Sequence, residues 1–179
     1  MGSFKSIFFV FICLMILPGS LLSTRVRAET QGVKRDEMTV SITTHLGDRQ
    51  TFQKGDPLSF LLSLNRDAYL LLIYENAAGK LLQILPNPFE EQRLYRAGLF
   101  MPFPDRTASF RFKIDAPFGK ETLWAFASDL PFPGLEGKPL KNGFKLLTSE
   151  LSVIRTQIRS AQVGAFGEAA LSIFSKPRD

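Results

Sequence analysis

Short stretches of alternating apolar and polar residues, separated by turn residues, run through most of this chain. The strongest signal is a pair of apolar runs, residues 69–74 and 81–85, joined by Glu75-Asn76-Ala77-Ala78-Gly79. Each run is too short for an ordinary helix and ends in turn residues, so each is predicted to be a strand. The polar link has the length and the glycine of a hairpin loop. Residues 69–74 are apolar on both faces, the pattern of a central strand buried on both sides. Alternation predicts further strands at 38–44, 58–64 and 109–114. Residues 121–128, with Leu123, Trp124 and Phe126, read as the next strand, 51–53 as a short one and 169–174 as a final one. Residues 99–104 are broken by proline and predict at most an edge piece. Residues 129–143 hold three prolines and three glycines and predict a loop. Leu147, Leu151, Ile154 and Ile158 recur at helical spacing, so residues 149–161 are predicted to form one amphipathic helix, capped by Thr148 or Ser149. Strands at intervals of about ten residues predict a mostly β fold, an antiparallel β-sandwich, immunoglobulin-like or related.

The first 28 residues do not fit this pattern. Lys5 is followed by an apolar run, then Pro18-Gly19, then Val26-Arg27-Ala28. This is the layout of a secretory signal cleaved after Ala28, and the apolar run is short for a bilayer span. A retained N-terminal anchor is the alternative. Residues 29–37 are polar and aperiodic and read as a flexible leader, which leaves 38–175 as a single β-rich domain. The expected location is periplasmic or extracellular, with no stable transmembrane segment after cleavage.

Removing the signal changes the charge. Residues 1–28 carry Lys5, Arg25 and Arg27 and no acid, so 19 of the 22 basic residues remain beside all 17 acids, a net charge of +2. That weak excess gives no reason to expect nucleic acid as a partner. Cys13, the only cysteine, also leaves with the signal. A thiol nucleophile, a disulfide and a cysteine-ligated metal are therefore excluded from the mature chain.

Lys54-Gly55-Asp56, Asn65-Arg66-Asp67-Ala68-Tyr69-Leu70, Gly79-Lys80, Leu85-Pro86-Asn87, Gly98, Pro102, Pro117-Phe118-Gly119-Lys120-Glu121 and Ala125-Phe126-Ala127-Ser128 follow one another in an order that resembles the bacterial family "domain of unknown function 4384". The resemblance spans residues 38–174. It departs at Ala68, where the family more often has glycine, and at Ala78, where an acid is usual. It implies an extracytoplasmic β-rich module of a kind sometimes attached to caspase-like peptidase or kinase domains. It implies no catalytic residues.

Candidate chemistry is sparse. His45 is the only histidine, it falls at a strand end beside Gly47, and no serine sits in a nucleophile elbow. Glu75, Glu90, Glu91 and Asp105 are the acids from which a hydrolytic pair would be drawn. One histidine and scattered acids supply no metal site, and no cofactor is expected. Four phenylalanines follow proline directly: Phe89, Phe103, Phe118 and Phe132. Proline keeps such segments extended and removes backbone donors, so they are not expected to pair as strands. Their rings either plug the open ends of the sandwich or form an exposed docking patch. In the second case Phe89, Phe103 and Phe132 are the anchors and Arg93, Tyr95 and Arg96 the polar rim. Arg155, Arg159, Lys176 and Arg178 form a basic face, either solvated or directed to anionic lipid or glycan.

These readings converge on an exported, non-catalytic interaction module that binds a protein partner or an envelope polymer through loops at one end. An envelope-acting hydrolase and a structural accessory subunit are the alternatives. N-terminal sequencing of the exported protein is expected to begin at Glu29. An intact Met1 on a membrane-bound product would show a retained anchor instead.

Overall fold

The computed structural model describes residues 37–178, apart from 48, 49 and 109. The signal segment and most of the leader lie outside these residues. In chain order the elements are β1 (Val40–Thr44), β2 (Thr51–Gln53), β3 (Pro57–Leu58), β4 (Phe60–Leu64), β5 (Ala68–Glu75), β6 (Leu81–Leu85), β7 (Leu94–Tyr95), β8 (Met101–Phe103), β9 (Phe112–Lys113), β10 (Lys120–Ser128), β11 (Gly137–Pro139), β12 (Lys145–Leu147), helix α1 (Leu151–Ala161) and β13 (Phe166–Lys176).

The larger sheet runs β11-β12-β6-β5-β10-β13-β2. β6 pairs with Leu72–Glu75 of β5, and β7 takes over the same edge at Ala68 and Tyr69. A smaller sheet, β1-β4-β8, and a two-stranded piece, β3-β9, complete the strands. All pairs are antiparallel except β2 with β13, which is parallel. The arrangement is sandwich-like, with no closed barrel.

The expected hairpin is present. Gly79 lies at φ +73°, which a residue with a Cβ adopts only under strain. The Asn76 carboxamide oxygen accepts from the backbone N–H groups of Ala78 and Lys80 at 3.0 and 2.9 Å, closing the turn. β5 and its neighbour β10 are buried on both faces. Ala68, Leu70, Leu72, Leu123, Ala125 and Ala127 face the smaller sheet and join Val40, Phe60, Leu62, Leu64 and Ile173 in the main core. Leu71, Ile73 and Phe126 point the other way, against Ile154 and Ile158 of α1 and against Phe132, Leu135 and Leu147. Two-sided burial of these strands therefore requires two covering layers, the small sheet on one face and the helix with its preceding loop on the other.

Several expectations are corrected. Phe132 is 5% exposed and Phe103 is 4% exposed, and they lie in different cores on opposite faces of the large sheet. They plug the interior and are not docking anchors. Phe103, in β8, also pairs with Phe60 of β4, so Met101-Pro102-Phe103 does form a strand. It does so at a sheet edge, where a missing N–H leaves no ladder bond unmade. The proline-rich stretch 129–143 contains β11, which pairs with β12. Leu147 belongs to β12, so its helical spacing relative to Leu151 is coincidental. The helix starts at Leu151 behind Glu150, with no side-chain cap from Thr148 or Ser149. The alternation over 58–64 is divided between β3 and β4, and that over 109–114 pairs only at β9. β13 is longer than 169–174 because its ends pair with β10 and β2. Arg155 and Arg159 both hold Glu168, and Arg178 holds Asp56 at 2.6 Å, so these guanidinium groups are engaged within the chain. His45 is an exposed turn residue, as its position beside Gly47 indicates. No helix among the described residues is long and apolar enough to cross a membrane.

Among the described residues, one acidic side chain belongs to the buried class. Glu121, on β10, is 1% exposed. One oxygen accepts a 2.5 Å hydrogen bond from the Ser175 hydroxyl, and Oε2 has no hydrogen-bond partner. Burial pushes its pKa above the usual 4.5, and the Ser175 bond offsets this in part.

Two predictions follow from these placements. Phe103→Ser and Phe132→Ser are each expected to lose about 3–5 kcal/mol of stability, from lost burial and the cavity left behind. Phe89→Ser, which alters a 60% exposed ring, should lose less than about 1 kcal/mol. Thermal or denaturant melts of the three variants check this. The second prediction concerns pH. A folded-state pKa raised above the unfolded value favours folding fully below the ordinary glutamate range, and that contribution is lost as pH rises through the raised value. Glu121→Gln keeps a partner for Ser175 but cannot ionise. Its stability relative to wild type should therefore rise with pH, reaching a gain of about 1–3 kcal/mol near neutrality, the scale of an unsatisfied buried polar group. Equal pH dependence of the two proteins would remove the argument.

Candidate functional site

The chain leaves β6 through Pro86-Asn87-Pro88, and Asn87 organises the turn that follows. Its side-chain amide donates to the Ile84 carbonyl at 2.7 Å, and its Oδ1 accepts from the N–H groups of Phe89 and Glu90 at 2.8 and 2.9 Å. Backbone bonds between Asn87 and Glu90 run in both directions. This buried asparagine holds the loop in one shape with Phe89 at its tip. The Phe89 ring packs over Gly143, where a Cβ would meet Cε2 of the ring at 2.5 Å. Gly143 also lies at φ +84°, so both backbone and packing call for glycine there.

Beside Phe89, Glu90 Oε1 accepts from the Tyr95 hydroxyl at 2.8 Å and from the Arg93 guanidinium at 3.1 Å. Arg93 in turn lies over the Tyr95 ring, 4.7 Å from its centroid. Burial, and then the bond to Glu90, push the Tyr95 pKa up, so the phenol stays protonated and remains a donor. Gln92 reaches across to the segment before β11. Its Oε1 accepts from the Phe132 N–H at 2.5 Å and its amide donates to the Phe132 carbonyl at 3.3 Å.

The facing wall is formed by residues 105–108 and 110. Asp105 accepts from the Thr107 hydroxyl and N–H at 2.6 and 2.7 Å. These two bonds, the hydroxyl first, hold the Asp105 carboxyl below the usual range. Arg111 donates to the carbonyls of Arg106, Ala108 and Phe110 and so holds the loop in place. Between the two walls lies a cleft of about 610 Å³, lined by Phe89, Glu90, Glu91, Gln92, Arg93, Asp105, Thr107, Ala108 and Phe110.

The six expected binding residues therefore divide. Phe89 and Arg93 line the cleft directly. Tyr95 is buried behind it and fixes Glu90. Arg96 is exposed but does not line the cleft. Phe103 and Phe132 are core residues, although the Phe132 backbone anchors Gln92. Glu90, Glu91 and Asp105, noted in the sequence as scattered acids, converge here. Asn87 enters the sequence reading only as part of the family resemblance, and Gln92 and Arg111 carry no site assignment there. Their importance lies in which backbone groups they reach, and only the Pro-Asn-Pro spelling around Asn87 hints at a turn.

Comparison with curated proteins and with solved structures returns no match. A family model does match, over a stretch narrower than the resemblance in the sequence. It runs from β2 to just past β10, so it includes both walls of the cleft and leaves out β1, α1 and β13. Over residues 51–131 the chain matches the family described as Domain of unknown function (DUF4384), the family that its sequence resembles.

Proposed function

We propose that this protein is an exported, non-catalytic interaction module that binds a protein partner or a cell-envelope component through the cleft between the 86–93 and 104–111 loops. The observation that carries this reading is that Phe89 and Arg93 both line that cleft. A large exposed ring and a cation are presented there on a loop whose shape is held by Asn87, Gln92 and Tyr95. Aromatic and arginine side chains on pre-ordered supports are the groups that most often dominate binding energy. Pre-ordering also lowers the entropy lost on association.

A second reading, an envelope-acting hydrolase, draws on the convergence of Glu90, Glu91 and Asp105 in one cleft. Glycoside hydrolysis requires one of two carboxyls to be held protonated as the acid. Asp105 is shifted the opposite way, and the carboxyl that burial pushes up, Glu121, does not line the cleft. That makes the binding reading the stronger.

The test is affinity capture from envelope extract with a tag after Asp179, followed by titration of the recovered partner. Phe89→Ser and Arg93→Ala should each weaken binding by about 1–3 kcal/mol, with the unfolding midpoint within about 0.5 kcal/mol of wild type for Arg93→Ala. Undiminished capture by both variants would move the binding surface elsewhere. Turnover of envelope glycan that disappears in Glu90→Gln would favour the hydrolase.

A further inference from the structure

The cleft is continued on both sides. A concavity of about 410 Å³, lined by Pro86, Pro88, Gly143, Phe144 and Lys145, shares Glu91 and Gln92 with it. Another, of about 160 Å³, is lined by Leu99, Phe100 and Pro102 and by buried Leu62, Leu70 and Leu85, and shares Glu90, Arg93 and Asp105 with it. The three concavities thus follow one another along the 86–93 loop, joined at common residues. A row of this kind fits an extended polymer that places successive units in successive depressions.

The hydrogen bonds made within the chain leave this row rich in acceptors and poor in donors. The Gln83, Asn87 and Gln92 amides donate to the backbone carbonyls of Pro86, Ile84 and Phe132, and the Lys145 ammonium donates to that of Leu135. The N–H groups of Phe89 and Glu90 are taken by Asn87. Glu90 is bonded through Oε1 and Asp105 through Oδ1, while Glu90 Oε2, Asp105 Oδ2 and the exposed Glu91 carboxylate have no bond among the described residues. An occupant must therefore bring donors. A polypeptide brings a carbonyl with every N–H, and those carbonyls would face carboxylates that cannot donate to them. A cation gains little, because Arg93 already pairs with Glu90 and the charges of Arg93 and Arg111 reach Asp105. A neutral hydroxyl both donates and accepts, and rotates to suit. Phe89 and Phe110, in contact at 6.1 Å between ring centroids, add an apolar surface to the cleft lining. A sugar ring supplies the matching pair of features, hydroxyls at its rim and C–H groups on its face.

We propose that the ligand of this row is a neutral, straight glycan chain of equatorially linked pyranose rings, with its hydroxyls donating to Glu90, Glu91 and Asp105 and its C–H faces on Phe89 and Phe110. Equatorial linkage keeps such a chain extended and its ring faces free of hydroxyl groups. The proposal rests on the binding reading of the cleft and names the ligand class within it. Depletion of Asp and Glu from the cores of protein interfaces favours the glycan over a protein partner at this lining.

Cellotetraose and chitotetraose are the probes, titrated into the purified protein by calorimetry beside permethylated cellotetraose and tetralysine. Saturable one-to-one binding of at least one of the two tetrasaccharides is expected. Permethylated cellotetraose keeps the rings but has no hydroxyl donors, and it should not bind. Glu91→Ala and Phe89→Ser should each weaken the tetrasaccharide about tenfold, for Glu91 the scale of one hydrogen bond to a charged group. Melting of Glu91→Ala, an exposed change, should match wild type. No saturable binding of either tetrasaccharide would overturn the proposal, as would equal binding of the permethylated sugar, preference for tetralysine, or affinity unchanged in both variants. The failures are separable: if neither tetrasaccharide binds but Arg93→Ala still loses a captured partner, the cleft reading stands and only the glycan is removed.

Discussion

Everything in this fold follows from two strands that cannot tolerate water on either face. β5 and β10 alternate large apolar side chains upward and downward, Leu70 and Leu72 against Leu71 and Ile73, Leu123 against Phe126. An ordinary antiparallel sheet leaves one side wet. Here the small sheet covers one face and α1 with the preceding loop covers the other. Fully burying a side chain of this size is worth about 1.5–3 kcal/mol. Losing either layer would expose several at once. The charged contacts serve the same end. Arg155 and Arg159 clamp Glu168 of β13 and lie over Trp124 and Phe166, fastening the helix across the sheet. A basic stripe that looks available for an anionic surface is occupied in holding a layer down.

The side of the sandwich away from β13 is closed differently. Phe60, Phe103, Phe110, Phe112 and Phe144 form a connected group of rings, with centroids between 5.5 and 6.2 Å apart along the chain of contacts. Tilted and edge-to-face pairs at these distances add to simple burial. The strands that supply the rings are short, β3, β8 and β9 being only two or three residues long. The group reaches the cleft through Phe110, which lines it beside Phe89 and touches Phe112 and Phe144.

The polar groups divide in a related way. Asn87, Gln92 and Arg111 spend their side-chain hydrogen bonds on backbone, and Asp105 divides its own between the Thr107 N–H and hydroxyl, giving fixed loops where no ladder is available. Glu90 differs, since its side-chain partners are other side chains at the cleft. Glu121 sits inside the sandwich with one oxygen unpaired, a local cost of the kind more often found at functional positions than in plain cores. It does not line the cleft and so has no part in the binding reading.

How much of this was legible before folding depends on the range of the interaction. Short apolar runs closed by turn residues identified β5 and β6, and Gly79 the turn between them, because run length and glycine conformation are local properties. The two-sided pattern of residues 69–74 even announced that two layers must cover them. What the sequence left open was decided by partners far along the chain. Phe89, Phe103 and Phe132 share one local spelling, proline then phenylalanine, yet one is exposed at a cleft and two are buried on opposite faces of a sheet. Leu147 keeps helical spacing but pairs as a strand because β6 offers an open edge. Glu90, Glu91 and Asp105 line one cleft only because two segments distant in the chain, each shaped by its own side chain, Asn87 or Arg111, come to face each other. Local chemistry sets which conformations a segment can adopt; the burial of the two central strands decides which segments are drawn inside, and so which side chains are left at the surface to bind.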